Sequence, residues 1–100
     1  MPQFDVAILG LGITGFTTAE YCRQEGLSVA ATDDRVQPPL LNRLRSEYPD
    51  IPVSTGAFDQ VMLLNSKRII VSPGIAPNSP IIQWLVEKNK EIISDIDLFL

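Results

Sequence analysis

Apolar residues along this chain gather in short runs, separated by stretches in which they recur every three or four positions. The runs Asp5 to Leu9, Leu27 to Thr32, Ile51 to Thr55, Lys67 to Val71 and Glu91 to Ser94 read as strands, and the first is nearly all apolar, as a strand buried on both faces must be. Between the first two, Thr14 to Glu25 sets Gly15, Ala19 and Cys22 on one helical face, sends Glu20, Arg23 and Gln24 elsewhere, and ends at Gly26. Pro38-Pro39 opens a second helix with Leu40 or Leu41, Leu44 and Tyr48 facing inward and Pro49 at its end. Gly56 to Ser66 has the weakest pattern; Phe58, Val61, Met62 and Leu64 suggest a short helix over one sheet face. Ser79-Pro80 starts a fourth helix that shares Ile81, Trp84, Leu85 and the stem of Lys88 on one side, with Trp84 in or near the core.

Strands that alternate with helices require right-handed crossovers and a parallel sheet. The expected fold is therefore α/β: a Rossmann-like five-stranded parallel sheet with helices on both faces, in a single domain over residues 1–94. Residues 95–100, Asp-Ile-Asp-Leu-Phe-Leu, read as the start of a connection to a further domain. If the strand order is 3-2-1-4-5, strands one and four are neighbours whose connections leave to opposite faces, which opens a ligand crevice at their carboxyl ends. The loops lining it are then Gly10 to Gly15 and Ser72 to Ile75, with Asp33 beside them.

Those loops carry the candidate chemistry. Gly10-Leu11-Gly12-Ile13-Thr14-Gly15 follows a strand and opens a helix, the context in which G-x-G-x-x-G lets backbone approach a pyrophosphate. Gly10 permits the tight turn, Gly12 clears space for phosphates, and Gly15 brings helix against strand. The first helical amides, near Ile13 and Thr14, lack intrahelical acceptors and favour an anion. Asp33-Asp34-Arg35 ends the second strand, where such domains place an acceptor for ribose or base hydrogens. Ser72-Pro73-Gly74-Ile75 ends the fourth, and its proline-glycine pair suits the centre of a type II turn. A nicotinamide dinucleotide, a flavin dinucleotide or a nucleoside diphosphate sugar all satisfy this pattern.

The bulk numbers narrow the classes. One hundred residues suit one domain, and 45% hydrophobic with 20% charged residues is an ordinary globular balance. A net charge of −4, without a basic cluster, argues against nucleic acid and against an anionic membrane surface. No segment has the length of a membrane span or the shape of a signal peptide. The single cysteine, Cys22, excludes an internal disulfide, fits a reducing cytoplasm, and with no histidine to activate it reads as a core residue.

Gly-Leu-Gly-Ile-Thr-Gly at 10–15, Asp33-x-Arg35, Val71-Ser72-Pro73-Gly74-Ile75 and Ser94-Asp95-Ile96-Asp97-Leu98-Phe99 together resemble the amino-terminal domain of the Mur ligases that add D-glutamate to UDP-N-acetylmuramoyl-L-alanine. The resemblance implies the first of three domains of a cytoplasmic enzyme of peptidoglycan synthesis, holding the UDP part of the substrate. It implies that Ile13, Thr14, Asp33, Asp34, Arg35, Ser72, Pro73, Gly74 and Ile75 surround that moiety, and the glycine-loop reading adds Gly12 to the expected UDP site. Asp34 departs from the hydroxyl residue usual in the family, and Phe16-Thr17 from a smaller pair. The resemblance also implies that ATP and Mg²⁺ are held by a following domain; in these residues the G-x-x-x-x-G-K-[ST] phosphate loop is absent and no metal ligand cluster is suggested. The chain alone is expected to bind without catalysing, its partners being UDP-N-acetylmuramoyl-L-alanine and the remaining domains of the same polypeptide. The rival expectations are the cofactor domain of an NAD-dependent oxidoreductase and a ligand-sensing regulatory module.

Overall fold

The computed structural model describes residues 3–94. In chain order it runs β1 (Phe4–Leu9), α1 (Ile13–Gln24), β2 (Val29–Asp33), α2 (Leu41–Glu47), β3 (Val53–Thr55), α3 (Gln60–Leu64), β4 (Ser66–Val71), α4 (Pro80–Glu87) and β5 (Glu91–Ser94). The expected start of a connection at 95–100 lies outside the described residues.

All four strand pairings are parallel and the order is β3-β2-β1-β4-β5. Since side chains alternate across a strand, β1 sends Val6 and Ile8 to one face and Ala7 and Leu9 to the other, and each pair joins a different core. Val6 and Ile8 pack with Phe16, Ala19 and Cys22 of α1 and Leu44 of α2. Ala7 and Leu9 pack with Leu63 of α3 and Leu85 of α4. The helices that follow β1 and β4 thus lie on opposite faces, and the crevice between their starts is built into the topology.

The core differs from the periodicity in a few places. On α3 the buried residues are Met62 and Leu63, whereas Val61 is 69% and Leu64 is 41% exposed. A helix of 5 residues is too short for a face to show as a period, and the Asp59 cap, whose side chain accepts from the Met62 amide at 3.0 Å, sets its rotation. On α1, Phe16 and Thr18 join the expected face. Trp84 is only half-buried, against the second core.

The register aligns the carboxyl ends that matter. Leu9 pairs with Thr32 on one side and Val71 on the other, and Asp33 pairs with Thr55. The chain leaves β1, β2 and β4 at one level, so three loops open onto the same rim.

Candidate functional site

At this rim a cleft of about 380 Å³ is lined by Gly10, Asp33, Asp34, Arg35, Phe58, Ser72, Gly74, Ile75, Ala76, Ser79 and Ile81. Backbone hydrogen bonds lock its two main walls to the sheet: the Gly10 amide donates to Thr32 O at 2.9 Å, and the Ser72 amide donates to Leu9 O at 2.9 Å.

The glycines divide by what the fold asks of them. Gly10 has φ +98°, and a Cβ there would stand 2.9 Å from the Cβ of Ser72, so only glycine lets the two loops touch. A Cβ on Gly15 would strike the carbonyl oxygen of Gly10. Gly12 and Gly74 are different. Gly12 caps α1 at φ −89°, ψ −164°, an extended conformation open to any residue, and a Cβ on either glycine would meet nothing within 4 Å. Neither backbone geometry nor protein packing explains them, and both keep open space at a loop end. The type II expectation for the Ser72 turn is also corrected: the Ile75 amide donates to Ser72 O at 3.0 Å, but Gly74 does not have the positive φ that type II demands at its third residue.

Asp33 has a structural role that its position in the sequence does not reveal. It is 1% exposed, and protein donors take both its oxygens. Oδ2 accepts from the Leu11 amide at 2.7 Å and from Arg35 Nη2 at 2.7 Å, while Oδ1 accepts from the Arg35 amide at 2.8 Å and Arg35 Nε at 3.0 Å. A carboxylate has about four lone-pair positions, and here the chain supplies four donors. Burial pushes the Asp33 carboxyl up, yet the bonds from Arg35 and the Leu11 amide outweigh it and hold the group below the usual carboxylate range. Asp33 therefore ties the glycine loop to the end of β2 and fixes the Arg35 guanidinium beside the cleft, with half of the Arg35 side chain exposed. Asp34 is exposed and makes no hydrogen bond or ion pair among the described residues.

The other expected site residues separate into three places. Ser72, Gly74 and Ile75 line the cleft with Asp33, Asp34 and Arg35. Gly12, Ile13 and Thr14 form the start of α1, where no side chain caps the helix and no acidic residue occupies the first turn; Ile13 is 76% exposed. Pro73 borders a neighbouring apolar groove with Ile82, Ile92 and Ile93. Phe58, Ala76, Ser79 and Ile81 were missed. Phe58 lies in the β3-to-α3 loop and the others follow β4; loops at the carboxyl ends of parallel strands line the ligand crevice, which was the available signal.

The parallel sheet, the glycine loop at an uncapped helix start and the crevice at the β1/β4 switch define a Rossmann-like α/β domain. A solved structure of SirC, precorrin-2 dehydrogenase, shares this fold with a TM-score of 0.60 at 18% identity, over 94% of this chain and 47% of that one. Sequence is more specific: the chain belongs to the family described as Mur ligase MurD-like, N-terminal domain, whose model matches residues 4–94. It is similar to the UDP-N-acetylmuramoylalanine--D-glutamate ligase of Alcanivorax borkumensis, 41% identical over 96 residues, which are 96% of this chain and 22% of that protein. The ligase of the same name from Marinobacter nauticus is 39% identical over 92 residues, 92% of this chain and 21% of that protein. That of Shewanella oneidensis is 36% identical over 97 residues, 97% and 22% respectively. The chain spans about a fifth of the length of these relatives.

Proposed function

We propose that this chain is the UDP-substrate-binding domain of an ATP-dependent ligase that adds D-glutamate to UDP-N-acetylmuramoyl-L-alanine in cytoplasmic peptidoglycan synthesis. The observation that carries the reading is the pair Gly12 and Gly74, whose missing side chains the fold does not require. A diphosphate needs that kind of access, because its oxygens must come within about 3 Å of backbone amides.

In this reading the amides opening α1, at Ile13 and Thr14, take the diphosphate oxygens with the Thr14 hydroxyl beside them. The helix is 12 residues long and its dipole favours the anion. Arg35 adds the positive charge that a chain of net charge −4 does not supply through its overall field. Asp33 holds Arg35 and the Leu11 amide in place, Asp34 stands at the cleft rim, and Ser72 to Ile75 form the opposite wall, with Pro73 fixing the turn. Acyl-phosphate formation from the substrate carboxylate and ATP, and attack by the D-glutamate amine, belong to the rest of the parent enzyme, where ATP and Mg²⁺ are held. Among the described residues no group of three His, Cys, Asp or Glu could hold a metal, and no helix is long and apolar enough to cross a membrane.

Calorimetric titration with UDP and with NADH tests the assignment. With only part of the substrate's contacts present, UDP is expected to bind with a Kd between about tens of micromolar and a millimolar, roughly −4 to −6 kcal/mol. NADH binding equal to or tighter than UDP would overturn it.

A further inference from the structure

Pro73 borders an apolar groove rather than the nucleotide cleft, and the stretch Asp95-Ile96-Asp97-Leu98-Phe99-Leu100, with four apolar residues in six, has no part in the UDP reading. The groove measures about 330 Å³ and lies between the loop after β4, α4 and β5. Val71, Pro73, Ile75, Ile82, Ile92 and Ile93 line it. Its polar side chains are Ser72, in the turn that also walls the cleft, and Ser94, the last described residue.

Val71, Ile75, Ile82 and Ile92 pack on the second core and yet stay partly exposed. β5 is an edge strand of the sheet, so no strand among the described residues lies beyond it to close the groove. Apolar side chains gathered in a concave surface gain free energy by being covered. A second copy of the chain would have to bring an apolar patch of its own, but the large exposed apolar residues described, Ile13, Val36, Val61, Leu64 and Val86, are spread over α1, α3, α4 and the loop after β2. The chain's own continuation fits better. It leaves β5 at Ser94, on the rim of the groove, and at full extension Ile96 and Leu98 reach roughly 7 and 14 Å from there. So short a tether holds these side chains at an effective concentration of about millimolar or more.

We propose that this groove is an interaction surface for the chain's own continuation, in which Ile96, Leu98 and Phe99 seat against Ile75 and Ile82. Asp95 and Asp97 alternate with the first two of these apolar residues and keep their carboxylates in water. The Ser72–Ile75 turn then has the nucleotide cleft on one side and the seated segment on the other. In a parent of the relatives' length, of which this chain spans about a fifth, a seated exit fixes the direction in which further polypeptide leaves the domain relative to the cleft. A free linker would leave that direction open. The seating does not depend on which ligand the cleft takes.

The test is NMR of the full chain with isotope-labelled isoleucine methyls, beside the double variant Leu98→Ser/Phe99→Ser. The Phe99 ring and the Leu98 methyls should show nuclear Overhauser contacts with the methyls of Ile75 and Ile82, which are distant in sequence. The double variant should lose these contacts and shift the Ile75 and Ile82 methyl resonances, while those of Ile8, in the other core, stay in place. Its melting temperature should fall by about 4–15 °C, the size of uncovering one or two large apolar side chains less the entropy of ordering them. The substitutions leave every described core residue intact, so the variant still folds and a null result is readable. If neither Leu98 nor Phe99 contacts Ile75 or Ile82, or if the variant leaves those resonances and the melting temperature unchanged, the segment does not occupy the groove and the proposal fails. Contacts that arise only between labelled and unlabelled molecules in a mixed sample would make a second copy the occupant and overturn it as well.

Discussion

Replacing Asp33 by alanine should unfold this domain more readily before it says anything about ligand. The substitution deprives the Leu11 amide, in a residue 1% exposed, of a charged acceptor at 2.7 Å. A hydrogen bond to a charged group contributes about 1.5–3 kcal/mol, and an orphaned buried donor costs a similar amount rather than adding to it. The Arg35 guanidinium pair is half-exposed on the arginine side, so solvent screening limits it to about 1 kcal/mol or less. The Arg35 amide bond adds about 0.5–1 kcal/mol. The sum is about 2–5 kcal/mol, which for a domain of this size lowers Tm by roughly 10–40 °C. The pH dependence gives a second handle. The folded carboxyl is held below its unfolded value of about 3.9, so its contribution is fully present above that value and is lost as pH falls through the depressed folded one. Thermal unfolding of the parent and Asp33→Ala from pH 7 down to pH 2.5 should therefore show two curves converging in acid. If Asp33→Ala melts with the parent at pH 7 and loses only UDP affinity, the four protein donors do not hold the carboxylate, and Asp33 serves the ligand directly.

Two further perturbations probe the rest of the rim and the core. Gly15→Ala drives a methyl into the Gly10 carbonyl and should cost about 3 kcal/mol or more, whereas Gly12→Ala, at ordinary backbone angles with free space, should change stability by less than about 0.5 kcal/mol while lowering UDP affinity at least about tenfold. Melting curves with UDP titrations separate the two, and a Gly12→Ala domain that binds UDP normally would remove the diphosphate from this loop. Cys22 is fully buried and its thiol is pushed up to about 11, mainly by burial; a thiol reagent at pH 8 should label it only at the rate of unfolding, and fast labelling of folded protein would contradict its place in the core.

Much of this molecule could be read along the chain. The central strands β1 and β2 are buried nearly throughout and β1 is a nearly uninterrupted apolar run, and each of the longer helices announces itself by periodicity and a proline or glycine at its end. Alternation of strands and helices points to a parallel sheet, and the order β3-β2-β1-β4-β5, in the sequence only a condition, is what draws Gly10–Gly15, Asp33 and Ser72–Ile75 to one rim. What the linear pattern could not contain is the use made of each residue once there. Asp33 looks like a free acceptor in sequence, because its donors at Leu11 and Arg35 become neighbours only when β2 lies beside β1. Three glycines of one motif look alike, but contact with Ser72 and with the Gly10 carbonyl constrains Gly10 and Gly15 and leaves Gly12 free. Ser79 reads as an ordinary helix cap until the Ile82 amide is seen to use the Ser79 carbonyl instead. Local apolar pattern is written residue by residue, so the chain by itself determines strands, the longer helices and a parallel α/β class; the strand order and the use of hydrogen bonds and space depend on which strands and loops meet, and only the folded sheet brings those together.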